Sequence, residues 1–179
     1  MTLQRALEIS YSNTIELGAE KITIDEAHGR ILNEDIKSYV NDPVFDNSAM
    51  DGWAVRIEDC QVGNRLKVIG TSQAGKNNPP TVRKGEACRI MTGAPIPKGA
   101  NSILIIENSK QENDYVTILD NPNPNYIRKS GENITIGQTV LESGSVLGPF
   151  EISLAATSGN WKVNVVKKPI VSIISTGDE

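Results

Sequence analysis

Phe45-Asp46-Asn47-Ser48-Ala49-Met50-Asp51-Gly52-Trp53-Ala54 marks the point where this chain changes character. It packs two carboxylates, an amide and a hydroxyl between aromatic residues. The stretch is too polar for a buried strand and too poorly periodic for an amphipathic helix. Phe45, Met50 and Trp53 nevertheless favour burial, so it is not a linker. One reading is a loop anchored in a core, whose oxygens suit a hard cation or a heterocyclic ligand. The other is a tight turn capped by its own Asp and Ser side chains.

Downstream, turn signals recur at roughly ten-residue spacing between short apolar runs, which is the all-β pattern. It predicts strands at 52–56, 65–71, 87–91, 102–107 and 115–119. Asn121-Pro122-Asn123-Pro124-Asn125 is unable to join a ladder or a helix and reads as an internal boundary. Beyond it lie a strand at 139–141, a helix near 149–158 with Pro149 at its start and Gly159 past its end, and a strand at 161–166. Upstream, Leu3, Leu7, Tyr11 and Thr14 share one face of a helix expected over 2–17, with Gly18 as its stop. A short helical turn is expected at 25–28, and a strand from Arg30 to Val40.

The 179 residues include fifteen glycines and nine prolines, a balance favouring strands and turns over a helical bundle. A net charge of −4 without a basic run argues against nucleic acid as a partner. Met1-Thr2-Leu3-Gln4-Arg5 does not read as a secretory signal, and no apolar run approaches the ~18 residues of a membrane span. Cys60 and Cys88 form no CxxC and read as reduced thiols. A cytoplasmic location is expected. His28, beside a turn glycine, reads as structural.

Ile170-Val171-Ser172-Ile173-Ile174 is nearly continuous β-branched residue and runs into Ser175-Thr176-Gly177-Asp178-Glu179. That is the pattern of a parallel strand buried on both faces, with polar groups at its carboxyl end where α/β sheets bind ligands. The alternatives are the first strand of a further α/β domain or an edge strand with a polar tail.

Five segments together resemble one family, molybdopterin molybdenumtransferase (MoeA and the E domain of gephyrin). Phe45 to Val55 is similar to its signature loop. Cys88-Arg89-Ile90-Met91-Thr92-Gly93-Ala94-Pro95-Ile96-Pro97-Lys98-Gly99-Ala100 is similar to its T-G-A-P segment. Ile127-Arg128-Lys129-Ser130-Gly131-Glu132-Asn133-Ile134 matches its I-R-x-x-G-E-D-I, except that Asn133 replaces Asp and Ser130 an often basic residue. Ser175-Thr176-Gly177-Asp178-Glu179 matches its S-T-G-D-E, and Glu26-Ala27-His28-Gly29-Arg30-Ile31-Leu32 resembles its E-A-x-G-R-x-L.

The resemblance implies a mixed α+β, strand-rich fold. A β-barrel-like domain (46–130) is inserted into an elongated α/β dimerisation domain (20–45 plus 131–168), after an N-terminal helix (1–19). The chain would stop at the first strand (169–179) of a catalytic three-layer α/β domain. The implied reaction is insertion of molybdate into adenylylated molybdopterin with release of AMP, assisted by Mg²⁺ in a homodimer. The isolated fragment is expected to be inactive. Tungstate is equally compatible. Alternatives are a non-catalytic binding or dimerisation module, or a divergent paralogue, for which Asn133 speaks, and a Mg²⁺-dependent hydrolase acting on another phosphorylated ligand.

By the same resemblance, Asp51, Asp178 and Glu179 are the catalytic candidates, with Asp178 and Glu179 also as metal ligands. Ser48, Thr92, Gly93 and Arg128 are the cofactor-binding candidates. Thr92-Gly93-Ala94-Pro95 reads either as a nest of free backbone N–H groups for an oxyanion or as a plain turn. Arg128 and Lys129 read either as anion ligands or as a solvated basic pair. Asp46 and Ser48 are expected mainly to shape the loop.

Overall fold

The computed structural model describes residues 2–13, 15–75 and 78–175. Two compact units emerge: Met1–Tyr39 with Gly137–Glu179, and Val40–Ile136, which is inserted in sequence between the two halves of the first. In chain order the elements are α1 (Leu3–Ser12), β1 (Ala19–Thr23), β2 (Ile36–Lys37), β3 (Asn47–Ser48) and β4 (Gly52–Val55). Then come β5 (Arg65–Ser72), β6 (Glu86–Ile90), β7 (Ser102–Ile105), β8 (Ser109–Glu112) and β9 (Tyr115–Ile118). β10 (Ile127–Arg128), β11 (Thr139–Leu141), α2 (Pro149–Thr157) and β12 (Lys162–Val166) complete the set. The class is mixed α+β, with a barrel-like six-stranded sheet in the inserted unit, as the resemblance implied.

That sheet has the order β7-β4-β6-β5-β9-β8 and is antiparallel except for the β5–β6 pair. Its middle strands are buried on both faces, because alternate residues feed different cores. Trp53, Val55, Ala87 and Leu104 pack with Leu66, Val116 and Ile118 on one side. Ala54, Cys88, Ile90 and Ile103 pack with Val82, Ala94 and Ile127 on the other. Each fully buried Leu or Ile stabilises such a core by about 1.5–3 kcal/mol.

Gly52 is required where β4 meets β7. A Cβ there would lie 2.1 Å from the Leu104 carbonyl oxygen, so no other residue fits the strand spacing. The glycine that follows Asp51 is therefore a packing residue of the sheet.

In the first unit β1 and β12 pair antiparallel from Ala19↔Val166 to Thr23↔Lys162, and β2 pairs with β11. Leu32, Ile36, Leu147, Ala155, Val163 and Val165 form its core. Buried Arg30 donates through Nη2 to the Glu20 carboxylate and to the Val166 carbonyl, so its charge is paired. α2 opens on Pro149, and its Glu151 carboxylate accepts the Gly148 N–H at 3.0 Å, a first-turn arrangement that satisfies an otherwise orphaned donor.

Several expectations need correction. α1 ends at Ser12, well short of Gly18, because the Asn13 side chain caps it by donating to the Ile9 carbonyl at 2.7 Å. Thr14 lies outside the described residues. The strand expected from Arg30 to Val40 is a two-residue ladder at β2 preceded by single bridges. Ile31 pairs with Val146 and Leu32 with Val165, so no continuous register forms. Asn47 and Ser48 are buried in a short strand after all, paired with Ile127 and Arg128. The expectation for residues 169–179 is not among these corrections: 169–175 join no ladder among the described residues, and Ile170 is 99% exposed.

Candidate functional site

The site begins with a backbone clamp between two loops of the inserted unit. The Ser48 N–H donates to the Ala94 carbonyl at 3.1 Å, and the Gly93 N–H returns to the Ser48 carbonyl at 2.8 Å. The pairing holds Asn47-Ser48 against the Thr92-Gly93 turn, where Gly93 takes a positive φ of 77°. Arg128 arrives on β10, directly opposite Asn47. Asp42 and Pro43 close the remaining wall, with the Asp42–Pro43 peptide cis. Together with Ala49 these residues bound a cavity of about 290 Å³. Four candidates from distant parts of the chain, Ser48, Thr92, Gly93 and Arg128, thus line one cavity.

Asp51 is tied to the rim of this cavity. Its Oδ1 accepts the Thr92 N–H at 2.7 Å and the Thr92 hydroxyl at 3.0 Å. Those two bonds, the N–H first, hold the Asp51 carboxyl below the usual carboxylate range, with Arg89 adding a smaller push. At neutral pH Asp51 is an anion and a hydrogen-bond acceptor, not a proton donor.

Asp46 shapes the loop. Its carboxylate accepts from Lys129 Nζ at 2.8 Å and from the Ser130 N–H at 2.9 Å, latching the signature loop to the segment after β10. The Lys129 bond is the main reason its pKa is lowered. The Ser48 hydroxyl donates to the Met50 carbonyl at 2.6 Å and accepts the Met50 N–H at 3.3 Å, a local turn.

The anion nest expected at Thr92-Gly93-Ala94 is not available. The Thr92 N–H is used by Asp51, the Gly93 N–H by Ser48 and the Ala94 N–H by the Met91 carbonyl at 3.0 Å. Backbone donors spent within the fold cannot also bind a ligand. Lys129 is likewise paired with Asp46. The cation left at the cavity wall is half-buried Arg128, whose nearest carboxylate is Glu132, 3.8 Å from Nε.

Two further residues escaped the sequence reading. Asp42, just past the strand expected from Arg30 to Val40, lines the cavity. Asn133 donates through Nδ2 to Asp42 at 2.8 Å and accepts from Arg128 Nη2 at 3.1 Å. A departure from the family motif was the one available signal for Asn133; Asp42 had none.

Asp178 and Glu179 lie outside the described residues. Among the described residues no group of three His, Cys, Asp or Glu could hold a metal ion. With one Asp51 oxygen engaged by Thr92, the described part does not by itself fit Mg²⁺. No described helix is long and apolar enough to cross a membrane.

Residues 1–159 match the family model described as the MoeA N-terminal region (domain I and II). The chain is 41% identical over 162 residues to a molybdopterin molybdenumtransferase of Haemophilus influenzae, covering 89% of this chain and 40% of that protein. It is 38% identical over 164 residues to molybdopterin molybdenumtransferase 2 of Mycobacterium tuberculosis, covering 88% and 40%. The crystal structure of a molybdopterin biosynthesis MoeA protein from Pyrococcus horikoshii superposes with a TM-score of 0.82 at 35% identity, covering 94% of this chain and 45% of that one. The chain thus spans less than half the length of these relatives.

Proposed function

The chain belongs to the MoeA N-terminal region family, and on that premise we propose that it is the N-terminal part of a molybdopterin molybdenumtransferase, supplying one wall of the site where molybdate is inserted into adenylylated molybdopterin. The observation that carries this reading is the placement of Arg128 in the same cavity as the Ser48 and Thr92-Gly93 loops. A guanidinium at the wall of a concave site, paired with Glu132 only at 3.8 Å, suits a phosphate or molybdate oxyanion as a further partner.

In this reading Arg128 holds the anionic end of the ligand, and Ser48, Thr92 and Gly93 shape the floor beneath it. Asp51, ionised and aimed by Thr92, is an acceptor for pterin N–H groups or a fixed negative charge beside the reacting oxyanion. Mg²⁺, if bound, draws its further ligands from outside the described residues, with Asp178 and Glu179 the candidates. The protein acts as a homodimer in which this region faces a catalytic α/β domain, and the chain alone is inactive.

The test uses the complete transferase. Arg128→Ala should raise KM for adenylylated molybdopterin by roughly tenfold or more, and Asp51→Ala should depress kcat. Unchanged kinetics in both would refute the site. A second reading, a binding module without chemistry, is favoured by the amide at Asn133. Tight molybdopterin binding by the complete protein without molybdenum transfer would select it.

A further inference from the structure

Asn47 is only 9% exposed, yet its side chain is half engaged. Its Nδ2 donates to the Phe45 carbonyl at 3.4 Å, and among the described residues no donor meets its Oδ1. The amide takes this orientation because a carbonyl only accepts, so the nitrogen faces Phe45 and the oxygen turns away. Nor is that oxygen sealed in: among the described residues Ser102 Oγ is the fully buried side-chain atom without a partner. Asn47 lines the cavity that also holds Arg128. A largely buried amide oxygen normally finds a donor, because leaving it unmet is costly.

The backbone fixes where the amide stands. Asn47 bridges to Pro95 and pairs with Arg128, so it is held in a ladder and not on a free loop. Directly paired residues of an antiparallel ladder project their side chains to the same face. Asn47 and Arg128 therefore stand side by side, a neutral acceptor beside a cation.

We propose that Asn47 is a specificity-determining residue, whose Oδ1 accepts a hydrogen bond from a ring N–H or amino group of the bound heterocycle, beside the anion held by Arg128. Its neighbours on the loops are already committed. Ser48 Oγ is used in both directions by Met50, and the Thr92 and Gly93 N–H groups are used by Asp51 and Ser48. A nitrogen heterocycle with an amino-lactam edge, such as a pterin, brings N–H donors to that oxygen. An isostere without them would leave the oxygen unmet and bind more weakly. This names the group that reads the ring, and it rests on the function proposed above.

The experiment uses the complete transferase and two probes. One is pterin; the other is its blocked analogue, with the amino group dimethylated and the lactam locked as a methoxy group, so that the edge carries no N–H. Each competes with adenylylated molybdopterin in the unsubstituted enzyme, in Asn47→Ala and in Asn47→Asp. The unsubstituted enzyme should prefer pterin roughly tenfold, and Asn47→Ala should bring the probes within about twofold of each other. Asn47→Asp keeps an acceptor at the position and should restore the preference.

A preference that survives in Asn47→Ala, or is absent from the unsubstituted enzyme, would overturn the assignment. Because Asn47 is buried, a reading free of any folding defect is also taken, the Asn47 ¹³Cγ chemical shift of the unsubstituted enzyme. It should move with pterin and not with the blocked ring; equal responses to both would reject the role. Arg128→Ala keeps this failure distinct from that of the anion pocket. A raised KM without probe preference retains the pocket and rejects Asn47, whereas an unchanged KM rejects the pocket and leaves Asn47 to be decided by the probes.

Discussion

Thr92 places both of its polar donors on a single oxygen of Asp51, the backbone N–H at 2.7 Å and the hydroxyl at 3.0 Å. A residue from the signature loop and a residue from the T-G-A-P turn thereby become one unit. Of the two donors, one is fixed by the backbone and one can be removed by substitution.

Thr92→Val should leave the N–H bond in place and delete the hydroxyl bond. The Asp51 carboxyl should then titrate closer to its ordinary value of about 3.9, which carboxyl ¹³C chemical shifts against pH would read. An unmoved titration would mean that the hydroxyl does not engage Asp51 in solution.

The Asp46 latch predicts an acid-side loss of stability. Because Lys129 and Ser130 lower the folded-state pKa of Asp46, its contribution is present above the unfolded carboxylate value near 3.9 and fades as pH falls through the lower folded value. Melting temperatures measured from pH 6 down to pH 3 should fall less steeply for Asp46→Asn. The difference will be modest, since the Lys129 and Asp46 side chains are 68% and 42% exposed.

Gly52→Ala should cost about 3 kcal/mol or prevent folding, because its Cβ would sit 2.1 Å from the Leu104 carbonyl oxygen between paired strands. Gly63→Ala is the control. There φ is +90° but nothing lies within 4 Å, so about 1–2 kcal/mol of backbone strain is expected. Urea denaturation of the two variants should rank them in that order.

Cys60 and Cys88 are buried in different cores, and burial pushes each thiol up to about 11. Neither should react appreciably with a thiolate-directed reagent at pH 7.5 in the native chain, whereas both should react fully in denaturant. Rapid native labelling would contradict the packing on either face of the sheet.

Much of this architecture was legible locally. Alternating apolar residues and regularly spaced turns marked β4, β5, β6, β7 and β9 close to their observed bounds, since period-two burial is written into each strand. β1 and β8 were missed because Ala19–Thr23 and Ser109–Glu112 are too polar to show that alternation. They are strands because Val163 and Val165, and Val116 and Ile118, lie on the partners they pair with. The run at 170–174 has the composition of a buried strand, and among the described residues it joins no ladder.

At the site, motif order alone brought Ser48, Thr92, Gly93 and Arg128 forward as candidates, and residue type alone marked Asp51 as an acid. What each group has left to offer a ligand was decided only by the tertiary structure. The apparent nest of backbone donors at Thr92-Gly93-Ala94 is consumed by Asp51, Ser48 and Met91, and the Arg128 guanidinium donates to Asn133, whose amide in turn donates to Asp42. Hydrogen bonds are saturable and directional, and these join residues up to ninety-one positions apart. Local sequence specifies which donors and acceptors exist; the register of β3 against β10, and of the loops around them, determines which are already taken.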